Sequence, residues 1–108
     1  MTELKQDEAP WEPVSKTMDA IYQRWVLIKN SGTVKFLRFE PDKAYPEHHH
    51  PDRTEWLYVV SGEIIAEIDG HVQNLKEGDH AEFPLNCRHS LKAGPNGSTV
   101  IAVALFEK

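Results

Sequence analysis

The sequence predicts an all-β protein whose strands form an antiparallel sandwich or barrel. Many short runs are rich in aromatic and β-branched residues, which favour strands. Glycine, proline and asparagine separate these runs at regular spacing, as is typical of all-β sandwiches and barrels. Apolar and polar residues alternate in several runs, so one face of each such strand suits a core. With 108 residues, the chain is long enough for one domain with a modest core.

Residues 1–15 are predicted to form an extended arm, which precedes a single domain of residues 16–108. Pro10 and Pro13 flank Trp11 in this arm, and prolines favour an extended path. Chain termini are often disordered, which is one interpretation of the arm. The other is that the large apolar side chain of Trp11 packs, on its own domain or on a second subunit.

Residues 17–29 carry two conflicting patterns. Four large apolar residues stand at helical spacing, namely Met18, Ile21, Tyr22 and Trp25. The run 22–28, however, is rich in aromatic and β-branched residues and therefore suits a strand. We expect a strand over residues 23–29 that follows one helical turn.

The strands that follow are separated by turn signals. Asp69-Gly70 is a strong hairpin signal, and residues 94–97 (Gly-Pro-Asn-Gly) are expected to form a loop. The last strand is almost entirely apolar, so both its faces should be covered. The expected strands are 34–40, 55–60, 63–69, 71–75, 80–83, 88–92 and 99–106.

Composition and charge restrict the classes of function. The formal net charge of -5 argues against nucleic acid and anionic membrane surfaces as partners. Residues 1–10 have no apolar run, which argues against a signal peptide or a membrane span. Cys87 is the only cysteine, so no disulfide can form within the chain, and this suits a reducing compartment. We therefore expect a cytoplasmic protein. A small barrel has room for one small-molecule ligand, which is the partner we expect.

A pattern of metal-ligating residues lies in the middle of the chain. His48 and His50 are two residues apart, so their rings leave an extended strand on the same face. Pro51-Asp52 predicts a turn. Glu55 opens the next strand, which the turn brings back beside the two imidazoles. Two imidazoles and a carboxylate that converge on one point suit a borderline divalent metal.

Two stretches of the chain resemble the paired motifs of the cupin superfamily. The first contains His48, one residue, His50, four residues, Glu55, six residues and Gly62. The second contains three matching residues at the family spacing, namely Gly78, Pro84 and His89. The resemblance covers roughly residues 34 to 106.

The chain departs from the family motifs at three positions. Asp42 and Asn86 stand where the family has glycine, and Ala93 stands where it has asparagine. Because asparagine tolerates positive φ better than most residues, Asn86 can keep the turn. None of the three positions is that of a metal ligand in the family.

The resemblance implies a jelly-roll barrel with a metal centre. In cupins the fourth ligand comes from the second motif, which here is His89. The implied cofactor is one divalent transition metal, and Fe, Mn, Ni, Co and Zn all accept three imidazoles and a carboxylate. An octahedral metal would keep two positions for a bidentate substrate, or for substrate with dioxygen or water.

Other residues near the motifs are candidates for supporting or substrate-binding roles. His49 leaves the strand on the opposite face from His48, so we expect it in a supporting or surface position. Tyr45 should lie near the mouth of the barrel. Either Arg38 or Lys35 should face inward, depending on the register of their strand. The remaining histidines and cysteine are expected in solvated or packing roles, namely His71, His80 and Cys87.

Two functions fit these features. We favour a metal-dependent enzyme that acts on a small polar metabolite, as a dioxygenase or as a sugar or sugar-acid isomerase. The alternative is a metal-containing module that binds or senses a small ligand without turnover. Trp56 and Tyr58 should share the face of their strand opposite to Glu55. Large aromatic residues on an outer face favour a covered surface, so we also expect a homodimer.

Overall fold

The computed structural model describes residues 9–107, and the part of the expected arm before residue 9 lies outside this range. Within it the chain is all β, as the sequence predicts, and contains no helix, hence none long and apolar enough to cross a bilayer. The strands are β1 (Glu12–Ser15), β2 (Met18–Lys29), β3 (Gly32–Phe39), β4 (Ala44–His48), β5 (Arg53–Ile68), β6 (His71–Lys76), β7 (His80–Phe83) and β8 (His89–Phe106).

All strand pairs are antiparallel, and two long strands organise them. The path of pairing runs β1-β2-β3-β8-β5-β6, while β4 pairs with β8 and β7 pairs with β5. β5 has 16 residues and β8 has 18, so each contributes to both layers of a folded-over sheet. This arrangement is the jelly-roll barrel that the resemblance to cupins implies.

The expected loop at residues 94–97 was wrong, because β8 continues through it as an irregular segment. β5 likewise joins the two strands expected at 55–60 and 63–69. Gly62 and Gly97 have φ of 76° and 75°, and a Cβ on Gly62 would lie 2.1 Å from the Gly97 carbonyl oxygen. These glycines let the two strands bend together at a shift of register, where residues 94–97 have no partner in β5 and pairing resumes at Ile64 and Ala93.

The helical turn expected before residue 23 was also wrong. β2 runs unbroken from Met18 and pairs with β1 on one side and β3 on the other. Tertiary pairing has therefore overridden the local helical spacing. Backbone strain falls on Ala20, whose φ is 70°. The Ala20 carbonyl accepts a hydrogen bond from Glu40 N at 2.9 Å.

The described part of the N-terminal arm packs on its own chain. β1 pairs with β2, and Trp11 lies against two arginines of the outer face. The guanidinium carbons of Arg24 and Arg38 are 5.7 and 4.5 Å from the Trp11 ring centroid. These contacts are cation–π interactions that hold residues 9–15 on the barrel.

The barrel interior is divided into two halves. One half is filled by the largest fully buried side chains, namely Phe39, Phe83, Ile21, Ile64, Val59 and Val100. Along β8 the inward residues then shrink from Val100 to Ala102 and Ala104. This second half of the interior contains the polar groups described next.

Candidate metal centre

Three segments bring four potential ligands to one end of the barrel. His48 is the last residue of β4 and pairs with His89, the first residue of β8. Glu55 lies on β5 between Phe83 and Ala104. His50 lies just beyond β4 rather than within a strand, where its carbonyl accepts a hydrogen bond from Asn86 N.

The ligand atoms of these four residues lie within 4.8 Å of one another. Glu55 Oε1 is 3.3 Å from His50 Nε2 and 3.2 Å from His89 Nε2. The His48 ring centroid is 4.1 Å from that of His89 and 4.8 Å from that of His50. The group is thus compact enough for one ion to contact all four side chains.

Hydrogen bonds orient two of the imidazoles. His48 Nδ1 lies 2.8 Å from the Pro46 carbonyl oxygen, and His89 Nδ1 lies 3.3 Å from that of Cys87. A carbonyl oxygen only accepts, so each Nδ1 carries the proton and donates it. Each Nε2 then presents a lone pair to the cluster, which is how carbonyl groups orient metal-binding histidines in proteins.

The second motif supports His89 by packing as well as by hydrogen bonding. Its ring is 4% exposed and stacks on Phe83 with centroids 4.7 Å apart. Asn86 takes a φ of 66° in the turn before it, in line with the tolerance expected of an asparagine there. Asp42, at the other replaced glycine, also has positive φ.

The electrostatics favour neutral imidazoles and an ionised carboxylate. Burial lowers the pKa of His48 and His50. Burial alone would raise the pKa of Glu55, but a proton shared with His89 Nε2 and the positive charge that the nearby imidazoles carry when protonated outweigh it and lower the pKa. Glu55 Oε1 faces nitrogen lone pairs. The cluster can therefore hold a positive charge, either a proton or a metal cation, between the carboxylate and the ring nitrogens. The donor set therefore fits a divalent metal.

A cavity of about 110 Å³ lies beside the four residues. Its remaining polar lining consists of Lys35, Tyr45 and Arg53, and its apolar lining consists of Leu37, Leu57, Leu91 and Ala102. A larger hollow of about 270 Å³ lies at the strand bend around Gly62 and residues 94–97. No imidazole lines that hollow, so the smaller cavity is the candidate ligand site.

Of the other predicted residues, Tyr45 and Lys35 line the cavity, whereas His49 and Arg38 do not. Tyr45 lies in the cavity wall, with its ring centroid 4.6 Å from that of His48. His49 is exposed to solvent. Arg38 does not reach the cavity, because it lies on the outer face of β3 against Trp11. Lys35 faces inward instead, on the same side of β3 as the buried Leu37.

Sequence reasoning missed Arg53, which lines the cavity two residues before Glu55. Residues two apart on a strand share a face, so the signal was present in the spacing. The lesser candidates lie outside the group of four. His71 is exposed, and His80 accepts a hydrogen bond from Trp56 Nε1 at 3.2 Å. Cys87 is buried, with its sulfur 3.7 Å from His89 Nδ1.

Comparison with known proteins identifies the family. The model of the cupin domain matches residues 35–105. A polyketide synthase, CurC of Streptomyces cyaneus, is 29% identical over 62 residues, or 57% of this chain and 40% of that protein. The match thus spans less than half the length of this curated relative.

Two solved structures illustrate how closely the fold agrees. KdgF from Halomonas sp. superposes with a TM-score of 0.88 at 21% identity, over 100% of this chain and 96% of that chain. An RmlC-like cupin from Shewanella frigidimarina gives 0.86 at 18% identity, over 97% and 90% of the two chains. At such identities the likeness concerns the fold. The family match, the jelly-roll topology and the two motifs agree, and the chain belongs to the cupin family.

Proposed function

We propose that His48, His50, Glu55 and His89 bind one divalent transition metal, and that this centre acts on a small polar metabolite. The observation that carries the proposal is the convergence of four ligand atoms within 4.8 Å. Two of the imidazoles also have Nε2 directed at the cluster by backbone carbonyls. Iron, manganese, nickel, cobalt and zinc all suit this nitrogen and oxygen donor set.

The residues around the cluster suit a reaction that requires a protected, polarising site. A bound divalent metal would supply Lewis-acid polarisation of a carbonyl or enediol, or activation of dioxygen. Burial, followed by the charge of Glu55, raises the pKa of Tyr45, so its hydroxyl stays protonated at neutral pH. It can donate a hydrogen bond to a ligand oxygen in the cavity, whose wall also includes the apolar side chains of Leu37, Leu57 and Leu91.

Isomerase-like proton transfer on a sugar or sugar acid is the activity we favour, since Tyr45 provides a positioned proton donor. Dioxygenase-like chemistry is the second candidate activity of the same centre. A metal-containing binding or sensing module is the alternative from a different class. One observation favours that alternative: besides the four proposed ligands, no carboxylate or imidazole among the described residues lines the cavity. A second carboxylate or imidazole for turnover is therefore absent from the described lining.

Metal analysis and a substrate screen test the proposal together. Purified protein should contain about one transition metal per chain. The metal-loaded protein is then screened for isomerisation of sugars and uronic acids and for oxygen uptake with diols, flavonols and thiols. Glu55→Ala serves as the blank, because it removes the only carboxylate of the cluster. A ligand that binds and stabilises the fold without turnover would favour the binding module instead.

We also propose that the protein is a homodimer in the cytoplasm. The single cysteine supports a reducing compartment. Trp56 and Tyr58 stack on the outer face of β5 with ring centroids 6.1 Å apart, and Tyr58 is 36% exposed. β1 pairs with β2 rather than with β5, so the described arm adds no strand beside these aromatics. Such a surface suits a second subunit.

Light scattering at micromolar concentration tests the dimer. The expected mass is twice the 12.4 kDa of one chain, and Trp56→Glu should shift it toward the monomer because it places a charge in an apolar interface. Val72→Glu is the matched control, since Val72 is 63% exposed on β6. A wild-type mass of one chain would rule the dimer out.

A further inference from the structure

A cationic side chain faces the cavity from the wall formed by β3. Lys35 lies in the same inward row as Ala102 of β8 and Leu57 of β5, because these three residues are paired across the sheet. The next row along β8 and β5 contains Ala104 and Glu55. Lys35 and Glu55 therefore belong to adjacent rows of one surface, whose β8 positions are the two alanines.

Neutral partners hold Lys35 in place. Its Nζ donates a hydrogen bond of 2.9 Å to Gln23 Oε1 and lies 5.0 Å from the Trp25 ring centroid. Gln23 Nε2 and Trp25 Nε1 in turn both donate to Glu12 Oε1, at 3.1 and 3.2 Å. This network directs the amide oxygen of Gln23 at Lys35. An ammonium group with three donors keeps hydrogen-bonding capacity after this contact.

No carboxylate described in the structure forms an ion pair with Lys35 within 4.0 Å. The other cation of the cavity differs, because Arg53 binds Asp52 through two hydrogen bonds of 2.9 and 3.2 Å. Glu55 is occupied by its contacts with His50 and His89. Lys35 is thus the cavity cation without an ion pair among the described residues, since the charges of Glu55 and Glu12 act on it only from beyond 4.0 Å.

We infer that the ligand of this cavity is a small organic acid whose carboxylate pairs with Lys35. The inference rests on the proposed metal site, which would bind another polar group of the same molecule. A single carboxylate matches a single unpaired ammonium group, and charge-assisted hydrogen bonds of this kind are about twice as strong as neutral ones. A volume of about 110 Å³ admits a small acid or the acidic end of a longer one.

Zinc-loaded protein and two matched probes test the inference by isothermal titration calorimetry. Glycolate carries a carboxylate, and glycolamide is its uncharged counterpart of similar size. We expect Lys35→Met to weaken glycolate binding by about 10- to 100-fold and to leave glycolamide binding nearly unchanged. Lys35→Arg should retain a large part of the affinity because it keeps the charge. Arg38→Met is the matched control, since it removes a cation from the outer face of the same strand.

The zinc content of each protein separates the two hypotheses. A wild-type chain that retains no zinc contradicts the proposed metal site. If zinc is retained but Lys35→Met binds glycolate as tightly as the wild type, the role of Lys35 is wrong. Should Lys35→Met fail to fold, Lys35→Gln replaces it, and equal affinities of the wild type for glycolate and glycolamide would also overturn the inference.

Discussion

The two halves of the barrel interior are built on the same strands but differ in side-chain size. In the filled half, Leu37, Val100 and Val59 form one row across β3, β8 and β5, and all three are buried. Two rows further along, the β8 and β5 positions are held by Ala104 and Glu55. Period-two alternation places all these side chains inward, and only their size and polarity decide whether a row packs or leaves room for a ligand.

This difference separates stability from function within one small domain. The filled half has large apolar side chains that are essentially inaccessible to solvent. The ligand half has alanines, three imidazoles and four further polar groups around a cavity. Substitutions should therefore affect either folding or ligand binding according to the half in which they fall, and four experiments test that division.

The largest expected effect is on metal binding in the ligand half. His50→Ala should weaken metal affinity at least about 100-fold, because it removes one of four ligands, whereas loss of a supporting residue costs about 10–100-fold. His49→Ala is the neighbouring control, since His49 is exposed and outside the cluster. Elemental analysis and titration with zinc measure both variants. Equal losses would show that the ligand assignment is wrong.

In the filled half the main effect should be on stability. Ile64→Ala should lower the free energy of unfolding by about 2–5 kcal/mol, because Ile64 is 0% exposed and the truncation leaves a cavity. Metal content per folded chain should stay the same. Urea denaturation measures the change, and Val72→Ala, at a position that is 63% exposed, should shift it by less than about 0.5 kcal/mol. If folded Ile64→Ala lost metal, the filled half would also control metal binding, which would contradict the division between the two halves.

Matched enlargements of two alanines compare the halves directly. Ala66 is 0% exposed in the core, so Ala66→Val should destabilise the fold by about 1–3 kcal/mol through overpacking. Ala102 lines the cavity, so Ala102→Val should cost less than about 1 kcal/mol but weaken the binding of small ligands. Denaturation and calorimetry on the same samples decide the point. If Ala102→Val destabilises the fold more than Ala66→Val, the cavity is tightly packed.

The smallest expected effect concerns pH in the metal-free protein. Burial places the folded-state pKa of His48 and His50 below the ordinary value of 6.5, so the unfolded chain binds protons first as pH falls. Stability should therefore decline below about pH 6.5. The lowered pKa of Glu55 has the same sign, since its contribution is present above its ordinary pKa and is lost on acidification.

Thermal unfolding, measured from about pH 4 to about pH 8 at intervals of about one pH unit, tests this dependence. The variant His50→Gln should show a shallower decline than the wild type, while His49→Gln should reproduce the wild-type curve. Excess zinc should raise the unfolding temperature most at high pH, because protons compete with the metal for the same nitrogens. A wild-type stability that increases on acidification would contradict the proposed protonation states.

The motif spacing carried much of the site information. The spacing of His48, His50 and Glu55 predicted that these three side chains converge, and the resemblance to the second cupin motif added His89. The structure brings all four together. Their role as metal ligands stays a prediction until metal is measured. The turn residue Asn86 was also predictable, because few side chains tolerate its φ of 66°.

The amino-acid sequence by itself determined the all-β class, the turn chemistry and the convergence of His48, His50 and Glu55, since these follow from local preference and spacing. The place of His89 beside them was implied by the resemblance of its stretch to the second cupin motif. Only the tertiary structure decided that Lys35 rather than Arg38 faces the cavity, and that β8 continues through residues 94–97. The physical reason is the same in both cases. Alternation shows which residues share a face, but the inward face and the continuity of a strand depend on partners distant in sequence, here β8 for β3 and β5 for β8.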